Sequence, residues 1–207
     1  MPTDSVVHVI DDDEAVRKSL AFLLGTAQVT VRSYESALSF LANIEHAEQG
    51  CIITDVRMPE IDGIELLRRV KDLGVGLPVI VMTGHGDVPL AVEAMKAGAV
   101  DFLEKPFDDE AVLAAVRAAL SQYERDSTRE AERSEIHGRL THLSNRERQV
   151  LDGLVAGYPN KTIAYDLKIS PRTVEIYRAN VMTKMQASSL SELVRMALIA
   201  GVLSERS

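Results

Sequence analysis

Three consecutive carboxylates (Asp11, Asp12 and Asp13), a further one at Asp55, a hydroxyl at Thr83 and an ammonium at Lys105 lie far apart along the chain. Yet each ends or closely follows a short apolar, β-branched run: Val6–Ile10, Cys51–Thr54, Val79–Thr83 and Asp101–Leu103. Brought together, such groups have a definite chemistry. Clustered carboxylates repel one another unless a cation neutralises them, and an all-oxygen donor set with water is what Mg2+ prefers. A carboxylate beside Mg2+ can attack a phosphoryl donor to give an acyl phosphate. A hydroxyl and an ammonium can then hold the new phosphoryl oxygens. Taken singly, each residue has a plainer reading. The acid triplet opens a helix, Asp55 sits in a turn, Thr83 ends a strand and Lys105 is a solvated charge. Placement at four strand ends in chain order is what points to a shared site.

The elements that must position these residues follow from periodicity. A fifth apolar run, Val29–Arg32, completes a set of five strands, and helical patterns fill 14–24, 34–44, 61–72, 88–97 and 108–123. Within 61–72, Ile64, Leu67 and Val70 share one helical face. Strands alternating with helices imply a parallel sheet covered on both faces, with ligands beyond the strand carboxyl ends.

After residue 123 the pattern changes. Residues 124–140 are strongly charged, with no apolar stripe before Ile136 and Leu140, and Glu135 and Arg139 stand at the i, i+4 spacing of a solvated helix. The expectation is a largely helical linker continuing the fifth helix and interrupted near Gly138; a flexible tether is the competing reading. From 141 onward the punctuation gives four compact helices without strands. Ser144 with Glu147, and Ser189 with Glu192, read as capping boxes; Asn160 reads as a cap, as does Ser170 before Pro171. Three segments result: 1–123, 124–140 and 141–207.

Charge follows the same division. The chain of 207 residues carries a net −8, but residues 1–120 hold 10 Lys and Arg against 20 Asp and Glu, whereas 141–207 hold 9 against 6. An acidic first part joined to a mildly basic tail implies two domains with different partners. An apolar content of 46% excludes disorder along the whole chain, and one Cys excludes a disulfide scaffold or Cys-rich zinc module. No apolar run is long enough for a membrane span and no signal peptide opens the chain, so a soluble cytoplasmic protein with no membrane partner is expected.

The order VIDDDEA, TDVRMPEIDG, VMTGHGD and DFLEKPF resembles the receiver domain of two-component response regulators, over about 120 residues. The resemblance implies Asp55 as phosphoacceptor and Asp11 and Asp12 as metal-binding acids, with the backbone carbonyl of Arg57 completing the protein ligands of Mg2+. The alignment on VHVI favours Asp11 and Asp12 over Asp13. It further implies that Thr83 and Lys105 bind the phosphoryl group, that Thr83 and Phe102 act as switch residues, and that Lys105–Pro106 is a cis bond. Arg57 and His85 each lie two positions beyond a site residue; they are expected to rim the pocket and influence the acyl-phosphate lifetime.

The segment LSNRERQVLDGLVAGYPNKTIAYDLKISPRTVEIYRANVMTKM resembles the LuxR-type helix-turn-helix of the NarL/FixJ class. On that pattern 160–167 is a scaffold helix, 168–170 a turn and 171–185 a recognition helix, with Ile163, Leu167, Ile169, Val174, Val181 and Met185 as the core between them. Thr173, Glu175, Ile176, Arg178 and Ala179 are the expected groove-facing residues. Asn160 belongs with these DNA-binding candidates, and Lys161, Arg172, Arg178 and Lys184 are candidate phosphate contacts. Glu175 could accept from cytosine, and Ile176 and Ala179 could meet a thymine methyl.

The fold class expected is therefore α/β, a five-stranded parallel doubly wound (flavodoxin-like) receiver, followed by a helical linker and an all-α four-helix LuxR-type domain. A closer resemblance, in TGHGDVPLAVEAMKAGAVDF, PNKTIAYDL and SPRTVEIYRANVM, is to members of the class that govern nitrogen-fixation genes. It implies an oxygen-responsive, FixL-like histidine kinase as phosphoryl donor, double-stranded promoter DNA and RNA polymerase as partners, and a monomer that dimerises on phosphorylation. No enzyme of the turnover kind is expected. An aspartyl-phosphate phosphatase would need a general acid two residues past Asp55, where this chain has Arg57. A regulator of a different stimulus, or a receiver with a protein-binding output, remain the alternatives.

Overall fold

The computed structural model describes residues 5–84 and 87–202. They form two compact units, one through Asp126 and one from Ser127. The first contains β1 (Val6–Ile10), α1 (Glu14–Thr26), β2 (Thr30–Tyr34), α2 (Ala37–Leu41), β3 (Gly50–Asp55), α3 (Gly63–Asp72), β4 (Val79–Thr83), α4 (Val88–Ala97) and β5 (Asp101–Glu104). All strand pairs are parallel, in the order β2-β1-β3-β4-β5.

Alternation along each strand divides the core in two. Ile10, Ile52, Val79 and Val81 pack with Phe40, Leu66, Leu67 and Val70 on one face of the sheet. Val7, Val9, Cys51, Ile53, Ile80 and Met82 pack with Leu20, Leu24, Val112 and Val116 on the other. Both faces are covered, which is why the strands read as unbroken apolar runs.

Some boundaries move. β2 begins one residue later than expected and ends two later, because as a half-exposed edge strand it has little apolar pattern to mark it. The expected helix at 34–44 is a short α2 followed by a 3-10 turn at Ile44–His46. α3 starts at Gly63, where Asp62 caps it by accepting from Glu65 N.

The fifth helix, α5 (Asp109–Thr141), runs without a break through Gly138, contrary to the expected interruption. Ile136 and Leu140, on either side of this glycine, are buried in the core of the second unit, and Glu135 pairs with Arg139 across it at 2.6 Å. Those interactions exceed the helix penalty of one glycine, about 1 kcal/mol. A Cβ at Gly138 would meet nothing within 4 Å. Gly138→Ala should therefore stabilise the second unit by about 0.5–1 kcal/mol in urea unfolding.

The remaining helices are α6 (Asn145–Val155), α7 (Asn160–Leu167), α8 (Pro171–Met185) and α9 (Leu190–Ile199). Val150, Leu151, Ile163, Val174, Val181, Met185 and Leu193 form their core. The Ser144–Glu147 capping box and the Ser170 cap are present. Two expected caps differ. Pro159, not Asn160, precedes the first turn of α7, and Asn160 is its first residue. Ser189 accepts from Glu192 N, but the Glu192 carboxylate turns to the N–H and hydroxyl of Ser188, so that box is only half formed. No helix among the described residues is long and apolar enough to cross a membrane.

Candidate functional site

The parallel sheet brings the ends of β1, β3, β4 and β5 to one edge. Asp11 there is 1% exposed and Asp55 9%. Asp11, Asp12 and Asp55 each offer a carboxylate oxygen, all within 4.8 Å of one another. The Lys105 ammonium enters from the loop after β5, 2.9 Å from Asp11 Oδ2 and 3.0 Å from Asp55 Oδ1. The Lys105–Pro106 bond is cis, and Lys105 N–H donates to Thr83 O at 2.7 Å, which ties this loop to the end of β4. Thr83 itself is buried there.

Local bonds resolve the acid triplet. Asp13 caps α1 by accepting from Ala15 N at 2.8 Å, so its carboxylate belongs to the helix, while its own N–H donates to Asp11 Oδ1 at 2.8 Å. The Asp11 backbone is held at both ends. Its N–H donates to Tyr34 O at 3.3 Å, and Arg17 Nη1 donates to its carbonyl at 2.7 Å.

Burial pushes the Asp55 carboxyl above its ordinary value, with Lys105 opposing through its hydrogen bond and charge, and Asp11 and Asp12 adding to the rise. Burial pulls the Lys105 ammonium down, but its hydrogen bonds and charge pairing with Asp11 and Asp55 outweigh this and the net shift is upward. Three carboxylates facing one ammonium leave an excess of negative charge in a set of oxygen donors. That donor set fits a hard divalent cation such as Mg2+.

Sequence reasoning missed Arg17 and Gly63. The signal for Gly63 was the Asp-Gly pair ending TDVRMPEIDG, which marks a turn. Gly63 N–H donates to Val56 O at 2.9 Å, and a Cβ at this position would collide with the Asp55 carbonyl oxygen. Gly63→Ala must therefore displace the backbone that carries Asp55. We expect a loss of about 1–3 kcal/mol in urea unfolding.

Phe102 on β5 is 42% exposed and lines a groove of about 470 Å³ with Thr83, Val88, Ala91, Val92 and Met95. The Arg57 side chain is 70% exposed, and Nη2 bonds Asp87 Oδ1 at 2.8 Å, next to the start of α4. His85, the other residue expected to rim the pocket, lies outside the described residues.

In the second unit, Val174, Val181 and Met185 turn one side of α8 into the core. Arg172, Glu175, Ile176 and Ala179 are exposed, and Thr173 and Arg178 are half-buried. Arg172 and Glu175 bond each other at 2.9 Å, and the Thr173 hydroxyl lies 2.8 Å from that of Ser170. On α7, Lys161 is exposed and Asn160 half-buried. Asn180, one turn beyond Ile176, is exposed too and was overlooked; it is a residue type suited to adenine.

Lys184 departs from expectation. Its ammonium folds back onto Glu147 at 2.7 Å and donates to His142 O at 3.2 Å, clasping the end of α8 to the start of α6 rather than pointing free as a phosphate contact. Glu147 is 4% exposed, and Lys184's hydrogen bond, with that of Ser144 N–H, holds its carboxyl down to about 2.

Comparison with known proteins accounts for both units. A model of the response regulator receiver domain matches residues 7–117, and one of bacterial regulatory proteins of the luxR family matches 141–197. The transcriptional regulatory protein FixJ of Azorhizobium caulinodans is 63% identical over 202 residues, which cover 98% of this chain and 96% of that one. Full-length FixJ from B. japonicum matches in structure with a TM-score of 0.61 at 55% identity, covering 98% of this chain and 100% of that one. The response regulator StyR matches with a TM-score of 0.82 at 38% identity, covering 94% and 98%. With both units and nearly the whole length matched, this chain belongs to the two-component response regulators that join a receiver to a LuxR-type helix-turn-helix, the family of FixJ.

Proposed function

We propose that this protein is a cytoplasmic transcriptional activator switched by phosphorylation of Asp55, with a FixL-like histidine kinase as donor, in oxygen-responsive control of nitrogen-fixation genes. The observation that carries this reading is the meeting of Asp55 with Lys105, Asp11 and Asp12 at the strand ends. The similarity to FixJ proteins supports the biological setting.

Asp55 Oδ attacks the phosphorus of a phosphohistidine on the kinase; an O–P bond forms as the P–N bond breaks, and the imidazole leaves with a proton. Asp11, Asp12, Asp55 and the Arg57 carbonyl would hold Mg2+, which would supply positive charge to offset that of the transferring group. Lys105 shifts from the carboxylates to the new phosphoryl oxygens, and the Thr83 hydroxyl donates to another. Phe102 follows into the space Thr83 leaves, and the surface of residues 88–104 becomes a dimerising face. Phosphorylation moves this equilibrium only by its differential affinity for the two states.

The working division is a receiver at 1–123, a charged helical segment at 124–140 and the DNA-binding domain at 141–207. A dimer offers two copies of α8 to an inverted-repeat promoter site. Thr173, Glu175, Ile176, Arg178 and Ala179 meet base edges, while Asn160, Lys161 and Arg172 seat the protein on phosphates; RNA polymerase is then recruited. The test is mass by light scattering with and without acetyl phosphate and Mg2+. A monomer that becomes a dimer only with both supports the reading, and an obligate dimer or a monomer throughout defeats it.

A further inference from the structure

The Arg139 guanidinium, 20% exposed, lies where the last turns of α5 reach the carboxyl end of α8. Nη1 donates to the Met185 carbonyl at 3.0 Å, and Nη2 donates to Glu135 Oε1 at 2.6 Å. Met185 is the final residue of α8, and Gln186 turns into the left-handed region at φ 56°, so this carbonyl has no acceptor role further along the helix. The positive charge also stands at the negative end of the α8 dipole.

The surroundings leave the bond little freedom. Ile136 and Leu140, flanking Arg139 in α5, are buried in the core that also holds Val174, Val181 and Met185. Lys184, one residue earlier in α8, is fixed to His142 O and Glu147. Arg139 also acts on the start of α9. The Glu192 carboxyl is held below its usual range chiefly by Ser188, with Arg195 and Arg139 adding smaller attractions. The end of α8 is thus fastened to α5 and α6 through polar bonds distinct from the exposed residues of its first half.

Resting on the DNA-binding reading above, we infer that Arg139 is a positioning residue for sequence readout. By gripping the Met185 carbonyl it sets how far and at what tilt α8 projects, so that Thr173 to Ala179 meet base edges in register. It does this without touching DNA itself.

The test uses the full-length chain and two probes, the duplex it selects from a random-sequence pool and poly(dI-dC). Arg139→Gln should weaken binding to the selected duplex about tenfold, the worth of one charge-assisted hydrogen bond. Binding to poly(dI-dC) and the salt slope should stay unchanged, since phosphate contacts govern both. Arg139→Lys, which keeps charge and donor, should recover most of the loss. Glu135→Gln, at an exposed carboxylate, covers the case in which Arg139→Gln fails to fold. It should weaken selected-duplex binding about threefold with the same selectivity. Equal losses on both probes, a salt slope lower by about one, or no loss in any variant would overturn the inference. A wild-type chain that selects no duplex would instead overturn the DNA reading on which it rests.

Discussion

Asp55→Asn is expected to give a folded protein whose phosphoryl uptake from acetyl phosphate in Mg2+ is below about 1% of the wild-type level, because an amide oxygen is not a competent nucleophile. The fold should survive, since Lys105 keeps its 2.9 Å bond to Asp11. The substitution should also stabilise the metal-free protein at neutral pH. Burial raises the Asp55 carboxyl above its unfolded value of 3.8, so ionising it in the folded state costs stability. That cost is present at neutral pH and fades as pH falls through the folded value towards 3.8. In urea unfolding with chelator, Asp55→Asn should exceed the wild type at pH 7, with the gap closing below pH 4, as ordinary carboxylate titration dictates. Retained uptake would mean another residue accepts the group, and an unfolded variant would mean Asp55 is structural.

Glu147→Ala should cost the second unit about 1–2 kcal/mol, the loss of a capping acceptor and of an ion pair whose lysine, 40% exposed, can return to water. It removes the carboxylate that holds Lys184 at 2.7 Å and the acceptor for Ser144 N–H at 2.8 Å. Glu147→Gln retains an oxygen for the cap and should cost less. The pH dependence separates charge from cap. A carboxyl held down to about 2 contributes stability that is complete above the ordinary value of 4.5 and is lost as pH falls towards 2. The wild-type advantage over Glu147→Gln should accordingly be full at pH 7 and shrink steadily below pH 4.5. An advantage independent of pH across that range would assign Glu147 to capping alone. The readout is the unfolding transition of the second unit, resolved separately where the two units melt apart.

The residues at the strand ends were legible because a parallel sheet has only one carboxyl edge. Asp11, Asp55, Thr83 and Lys105 needed no distances to be assigned to the same place. Asp13 could not be separated from its neighbours by spacing, since a helix cap and a metal ligand call for the same residue type; in the structure it caps α1 through Ala15 N. Lys184 misled because its partner Glu147 lies 37 residues away, and no local pattern distinguishes a lysine folded back from one facing outward. Gly138 misled for a related reason. Intrinsic propensity argued for a break, but Ile136 and Leu140 bury on either side of it, and tertiary packing overrides a local preference of that size. Arg17 and Gly63 act on Asp11 and Asp55 through backbone oxygens, contacts that leave almost no trace in composition or periodicity.

Coupling of Asp55 chemistry to DNA binding is most directly measured by titrating a promoter duplex with wild type and Asp55→Asn, each before and after incubation with a FixL-like kinase, ATP and Mg2+. The wild type should bind about tenfold or more tightly after phosphorylation, a coupling of ordinary size for two linked sites, and Asp55→Asn should show no change. Equal affinity of the two wild-type forms, or a gain by Asp55→Asn matching that of the wild type, would contradict it.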